Sequence, residues 1–394
     1  MAETRNIVVL GASCSGLSAA HYIAKHTLPK LQAVKNVQYA LHIVDPSTHF
    51  WWHIGAPREI VSVKQMPHEK YFIPIKDGFK QYTSLQSAIH FHQASATGLD
   101  TTARTVTLTA AGAGEPQVIP YYALVIATGV TSPTPLTTLH GEHTKSIAAL
   151  DAMNTKLASA KEVLISGGGP VAVETAGEIA YHLKNVHTTL VTSGDKLTPV
   201  FKKSRAEKVQ KMLEKAGVTV VYNAKVESSN EGADGKTTVT LSGGKTHVVD
   251  VYIPAHGVVP NTDFVSASLK NEKGYIKTNV ATLRVDGAGA RVYAIGDVSG
   301  VDHGGVLKMY STIPIWGANF NHDILGEAKV ATVSEKTYSP KDDETQFVPV
   351  GPKGGVAAFN GWGMPSFMVA LAKGKDYLAG SIPEFTQGTK WVKA

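Results

Sequence analysis

Asn6-Ile7-Val8-Val9-Leu10-Gly11-Ala12-Ser13-Cys14-Ser15-Gly16 is an apolar run, then a turn of small residues, then a segment able to open as a helix. The same order returns in mid-chain as Val163-Leu164-Ile165-Ser166-Gly167-Gly168-Gly169-Pro170-Val171-Ala172-Val173-Glu174. A buried parallel strand feeding a helix needs this order when the pyrophosphate of a dinucleotide rests on the N–H groups of the helix start. One such motif is a weak signal. Two, with strand-rich sequence between them, predict two dinucleotides held face to face, a flavin and a nicotinamide.

Outward from these motifs the chain reads as one plan used twice. After the first, Ala19 to Lys25 continues a helix and Ala40-Leu41-His42-Ile43-Val44-Asp45 forms a strand ending in an acid. Thr105–Thr109 and Gln117–Ile119 flank a Gly-containing turn from Ala110 to Glu115, which predicts a hairpin, and Tyr122 to Gly129 gives a closing buried strand. The second copy has its hairpin at Thr237–Leu241 and His247–Val249, and its closing strand at Val251 to Gly257. Ala290-Arg291-Val292-Tyr293-Ala294-Ile295-Gly296-Asp297 is a further buried strand that belongs with the first copy, so the second copy is inserted into the first. The expected class is α/β, with two Rossmann-like dinucleotide-binding domains. Residues 1–133 and 280–336 form the FAD-binding domain, 134–279 the NAD(P)H-binding domain, and 337–394 a small C-terminal region.

Composition agrees with a folded, soluble chain. The 394 residues are 43% hydrophobic and 18% charged, with a mild net charge of +6. No long run of like charges occurs, so nucleic acid is not an expected partner. The basic stretch from Lys202 to Lys215 carries Val209, Met212 and Leu213 at helical spacing and reads as a solvated amphipathic helix. Cys14 is the single cysteine, which excludes a disulfide scaffold and a dithiol relay. The sequence opens without signal-peptide character and has Ala2 where myristoylation requires a glycine. It has no apolar run near the ~18 residues of a membrane span. A cytoplasmic protein is expected.

Gly11 to Gly16, Ala127-Thr128-Gly129, Gly167 to Glu174 and Gly296-Asp297, in this order, resemble the pyridine nucleotide-disulfide oxidoreductase superfamily. Within it, Val44-Asp45 with Phe50 and Pro57-Arg58, Val348 to Val356, Gly361 to Phe367 and Lys373 to Tyr377 resemble the apoptosis-inducing-factor-like group that includes ferroptosis suppressor protein, in its fungal form. The resemblance implies a glutathione-reductase-like fold and an FAD-dependent NAD(P)H oxidoreductase, often one that reduces quinones. Three positions depart from the pattern. Ser13 replaces the middle glycine of the first fingerprint, which alters the turn slightly. Asp45 lies farther along than the roughly 20 residues usual for this acid, the excess falling in a longer helix and loop from Lys25 to Gln38. No lysine follows Ala127-Thr128-Gly129 within the next dozen residues, so the group's flavin-site lysine has no counterpart there.

The catalytic candidate is Glu174, placed by the resemblance where nicotinamide and flavin ring meet. Cofactor contacts are expected at Gly11, Ser13, Gly16, Asp45, Arg58, Gly129, Gly296 and Asp297, and from the second motif's half at Gly167, Gly169, Val171, Ser193, Lys196 and Gly257. Among these, Asp45 takes ribose hydroxyls and Asp297 takes ribitol hydroxyls. The strand Thr188–Thr192 ends without an acid to hold a 2′-hydroxyl, while Ser193 and Lys196 suit a 2′-phosphate that Asp195 opposes. NADPH, alone or beside NADH, is the expected donor.

No cysteine pair lies between Pro46 and Arg58, so electrons are expected to leave the flavin directly for a quinone-like or other small acceptor. Trp51-Trp52 is read as core. His90 with His92, and His140 with His143, lack a clear third ligand, so no metal is expected. His256 stands at the glycine strand end of the second copy, open between a nicotinamide-pocket role and none. Pro365 to Lys373 is too short to span a bilayer but allows peripheral membrane contact or a homodimer contact. Two other readings share every cofactor motif: a redox-sensing interaction protein, and a biosynthetic oxidoreductase with a dedicated metabolite substrate.

Overall fold

Ile7, Val8, Val9 and Leu10 are all buried in the strand Glu3–Leu10. Consecutive buried residues mean that both faces of the strand are covered, as in a parallel sheet flanked by helices. In the computed structural model, which describes residues 3–110, 114–302, 304–341 and 343–393, this strand lies inside a seven-stranded sheet. Its order is 292–294, 123–126, 3–10, 37–45, 89–100, 105–110, 117–120. The first five are parallel and the last two add an antiparallel hairpin. Residues 111–113 of the expected hairpin turn lie outside the described residues.

The second motif sits in its own four-stranded parallel sheet, ordered 218–221, 187–191, 162–166, 251–254. Its hairpin is part of a separate antiparallel three-stranded sheet, 226–231, 237–241 and 246–249, whose Val239, Leu241 and Val249 pack on Leu164 and Val191. Where the first copy extends its hairpin along the sheet edge, the second lays it over the sheet face. The two units are joined by a short antiparallel pair, Val130–Thr131 with Val259–Pro260.

One expectation is filled in and another changes. The helix after the first motif runs as Cys14–Tyr22, a wider π turn Ile23–Thr27 and a last turn Leu28–Leu31, before the strand Val37–Asp45. That continuous helical run accounts for the long interval before Asp45. The boundary expected near residue 279 also moves. Phe264, Val265, Leu269 and Ile276 pack with Val8, Leu10, Val44 and Leu124, so the chain rejoins the first unit's core directly after the joining pair.

The C-terminal residues form a small antiparallel sheet, 346–349, 355–359 and 362–364, and short helices that reach both units. A Cβ on Gly177 would come within 3 Å of Gly351 N and Val350 Cα, so this sheet lies directly on the helix of the second motif. On the other side, the Trp52 indole donates to the Tyr377 carbonyl at 2.8 Å and stands against the Phe385 ring at 5.7 Å. Phe359, Trp362, Phe367 and Leu371 of this region are exposed. Among the described residues no helix is long and apolar enough to cross a membrane.

Trp51 and Trp52 are both buried, and Trp51 Nε1 donates to both oxygens of the fully buried Glu59 at 3.2 Å. Burial raises the Glu59 carboxyl from its ordinary 4.5 to about 8, the Trp51 donor only partly opposing it. Between those two values the folded chain holds a proton that the unfolded chain has released, so stability falls as pH rises from 4.5 toward 8. Glu59→Gln keeps an acceptor for Trp51 and removes the titration. Urea melts at pH 6 and pH 8 are expected to show the wild type losing more stability than the variant over this interval; equal losses would contradict the assignment.

Candidate functional site

At the first motif the backbone passes from strand to helix with almost no clearance. Gly11 has φ +97°, and a Cβ on it would collide with the Ala127 carbonyl oxygen. A Cβ on Gly16 would collide with the Gly11 carbonyl, which sets the helix tight against the turn. Asp45, at the end of the neighbouring strand, accepts the Ala12 N–H at 2.7 Å and the Ser47 N–H at 2.8 Å. Burial pushes its carboxyl up to about 6, against the pull of these two N–H groups. Asp45 therefore holds the turn itself, in addition to facing the space beside it.

That space is a cavity of about 520 Å³ lined by Gly11, Ser13, Asp45, Gly129 and Asp297. Five of the expected cofactor residues, from four separate strand ends, thus line one cavity. Gly129 has φ +63° and nothing within 4 Å of where its Cβ would lie. Gly296, with φ +71°, has no such room, because a Cβ there would strike Ser15 Oγ. Asp297 is exposed to the cavity, and one oxygen accepts the Gly305 N–H at 3.1 Å. Glycines that permit close approach, open space above Gly129 and two carboxylates in the lining suit an extended dinucleotide with hydroxyl-bearing arms. Cys14 is 8% exposed at the helix start, and burial pushes its thiol up to about 12, with Asp297 adding to the effect. It is a protonated, packed thiol.

The second motif repeats the tight turn. Gly167, φ +141°, has no room for a Cβ beside the Ala255 carbonyl, and Gly168 is closed by Thr192 Oγ1. Gly169 begins the helix Pro170–His182, and neither it nor Gly257, φ +72°, has any atom within 4 Å of a Cβ position. With Val171 at 36% exposure, these glycines leave an open ledge at the helix start. The fit is to a second dinucleotide. Ser193 is exposed nearby, while Lys196 Nζ donates to the Phe201 carbonyl at 2.8 Å. One of its N–H groups is thereby used within the protein.

One turn into that helix, Glu174 is 2% exposed and accepts from Lys373 Nζ at 2.5 Å. Burial raises its carboxyl to about 7, and Lys373 restrains the rise. One turn further, the buried Glu178 takes Nε and Nη2 of Arg58 at 2.9 and 3.0 Å and the Tyr377 hydroxyl at 3.1 Å. Arg58 also donates to the carbonyls of Lys375 and Gly374 at 2.7 and 2.6 Å, and lies 4.8 Å from the Tyr377 ring centroid. Here the structure departs from expectation. Arg58 does not line the cavity; it neutralises a buried acid and ties three segments together.

Lys373, Glu178 and Tyr377 are not among the site residues expected from sequence. Glu174 and Glu178 share a helix face at i and i+4 spacing, which signals a need for cations. Their partners lie too far along the chain to be paired without coordinates. The histidines behave likewise. His143 meets His49, with ring centroids 3.7 Å apart, and Glu142. The Glu142 oxygens already accept from the Thr48 N–H and hydroxyl, the His143 N–H and Gln93, so the carboxylate clamps the linker to the turn after Asp45. His92 pairs with His42 at 2.9 Å, and His140 with the Ser132 carbonyl at 2.9 Å.

Residues 5–329 match the family model described as pyridine nucleotide-disulphide oxidoreductase. The chain is 36% identical to oxidoreductase phnG of Penicillium herquei, over 99% of this chain and 97% of that one. It is 26% identical to apoptosis-inducing factor 1 of Saccharomyces cerevisiae, over 95% and 96% respectively. Among solved structures, the water-forming NADH oxidase from Lactobacillus brevis bound to NADH superposes with a TM-score of 0.62 at 16% identity, covering 85% of this chain and 71% of that one. The chain belongs to the pyridine nucleotide-disulphide oxidoreductase family. It is an NAD(P)H-dependent flavoprotein oxidoreductase whose cofactors are FAD and a nicotinamide dinucleotide.

Arg58 and Glu178 have side chains only 5% and 0% exposed. Removing the cation leaves an uncompensated buried carboxylate, a change that costs about 3–5 kcal/mol. Arg58→Ala is expected to lower the melting temperature sharply, and Arg58→Ala with Glu178→Gln to recover part of the loss. Equal melting temperatures for wild type and single variant would show the pair to be without weight.

Proposed function

We propose that the protein carries reducing equivalents from NADPH, or NADH, through FAD to a small quinone-like acceptor with no thiol step. The observation that carries this reading is the pair of tight glycine turns on two sheets joined by one short antiparallel strand pair, with the only cysteine buried and protonated at the first helix start. Bound FAD supplies the two-electron carrier that links a hydride donor to the acceptor.

The residues have separable tasks in this reading. Asp45 fixes the first turn and takes ribose hydroxyls, and Asp297 takes the ribitol hydroxyls. Gly169, Val171 and Gly257 leave the ledge on which the nicotinamide nucleotide lies, with its pyrophosphate at the helix start. Glu174, held near neutrality by burial and by Lys373, is placed to hold or release a proton close to working pH. A dedicated metabolite as acceptor is the second reading. It uses the same residues.

Anaerobic titration of the purified flavoprotein tests the path. Stoichiometric bleaching of the flavin absorbance by NADPH is expected, with NADH the weaker donor and a quinone restoring the colour over many cycles. A flavin that neither nucleotide bleaches would defeat the reading. Slow single turnover with a change of oligomeric state on reduction would favour the sensor instead.

The exposed Phe359, Trp362, Phe367 and Leu371 support contact with a membrane interface, where a lipid quinone would be met. Co-sedimentation with anionic liposomes is expected, and its loss in Trp362→Ser with Phe367→Ser. Failure of the wild type to co-sediment removes this part while leaving flavin reduction untouched.

A further inference from the structure

Strand 162–166 lies between strands 187–191 and 251–254 in the second sheet. The helix from Pro170 carries the chain to one neighbour, while the other is reached only after the hairpin sheet. The carboxyl ends of 162–166 and 251–254 therefore flank a crevice at the point where the strand order reverses, the place where open α/β sheets take their ligands. Ser166 ends one strand, and His256 stands two residues beyond the other.

These two residues are tied together. His256 Nδ1 is 2.7 Å from Ser166 Oγ and 3.3 Å from the Ser166 carbonyl oxygen. Ser166 Oγ is in turn 2.7 Å from the Tyr252 hydroxyl. A carbonyl only accepts, so this arrangement favours the proton on Nδ1 and leaves Nε2 as an acceptor. No hydrogen-bond partner for Nε2 occurs among the described residues, and the ring is exposed. Beside it lie Gly257 and, across the crevice, Gly169, both with open space above them. Serine at the end of a buried strand, where an apolar residue would suffice, has its hydroxyl used in orienting the imidazole.

We propose that His256 is a positioning residue for the nicotinamide nucleotide, its Nε2 accepting a hydrogen bond from a ribose hydroxyl or carboxamide N–H of that ligand. The inference rests on NAD(P)H occupying the second turn. Ser166 and Tyr252 act through the ring, holding it at one angle. The contact lies in the bound nucleotide rather than in the reacting atoms, so it acts on affinity more than on the rate at saturation.

Steady-state and anaerobic titrations with NADPH and NADH on the FAD-loaded protein test this. His256→Phe, which keeps an aromatic ring and lacks the acceptor, is expected to raise KM for the favoured nucleotide about three- to tenfold, the range of one hydrogen bond, with kcat close to wild type. His256→Gln, which can present an oxygen near the Nε2 position, is expected to recover part of that loss. Ser166→Ala is expected to give a smaller rise and supplies the same readout should the His256 variants not fold. Flavin content and melting temperature, measured alongside, separate positioning from a structural role. An unchanged KM in His256→Phe or, if that variant does not fold, in Ser166→Ala overturns the proposal, as does a loss confined to kcat or flavin content. If the wild-type flavin is bleached normally, that failure concerns His256 alone. If neither nucleotide bleaches the wild type, the occupancy of the second turn fails first.

Discussion

Backbone contact between Gly11 and Ala127, and again between Gly167 and Ala255, is the constraint on which both halves of the molecule are built. At each point a parallel strand ends, the chain turns with positive φ, and the next strand's carbonyl occupies the space where a side chain would begin. Only glycine fits. The contact brings three strand ends close enough for a thin ligand to touch all of them, and it aims the N–H groups of the following helix at the same space. Asp45 reinforces the first turn by accepting from Ala12. The second is held by the Gly167 N–H donating to the Val191 carbonyl at 2.8 Å.

The second constraint is electrostatic. The helix Pro170–His182 buries two carboxylates, Glu174 and Glu178, one turn apart. Neither is tolerable without cations, and neither cation comes from the same sheet unit. Arg58 arrives from the first unit and Lys373 from the C-terminal region. The nucleotide-binding helix is thereby fastened to its surroundings by groups whose separation would expose buried charge to an apolar interior. This gives the C-terminal region a definite role. It packs against Gly177, closes over the pair, and presents its own apolar residues outward.

How much of this is legible in the sequence follows from how local each feature is. The two strand–turn–helix motifs are contiguous, so their glycines, the helix starts and the parallel strands around them can be read directly. The insertion of one unit in the other follows from a single buried strand ending at Gly296-Asp297. The second boundary falls elsewhere than expected because Phe264, Val265 and Leu269 lie on short irregular segments without periodicity, and their packing on Val8 and Leu10 is a tertiary fact. The neighbourhood of Arg58 in the chain suggests a cofactor contact, whereas its environment is set by Glu178, Gly374 and Tyr377. Lys373 stands out in sequence for its motif and not for its charge, since nothing local pairs it with Glu174.

The sealed thiol and the perturbed acid bear on the same chemistry from opposite sides. A cysteine relay requires a thiolate that can reach both flavin and substrate, and burial near Asp297 holds Cys14 protonated far above neutral pH. Glu174 is also displaced by burial, yet Lys373 limits the displacement so that its carboxyl titrates near neutrality. Desolvation alone would keep that proton fixed, and a fully solvated ion pair would keep it off. The balance leaves one group beside the second nucleotide turn able to exchange a proton at working pH. A group that can give up or take up a proton at this position suits general acid–base work beside the nucleotide turn. The placement of one neutralising lysine on the C-terminal region therefore couples the packing of that region to the protonation of a carboxyl on the second motif's helix.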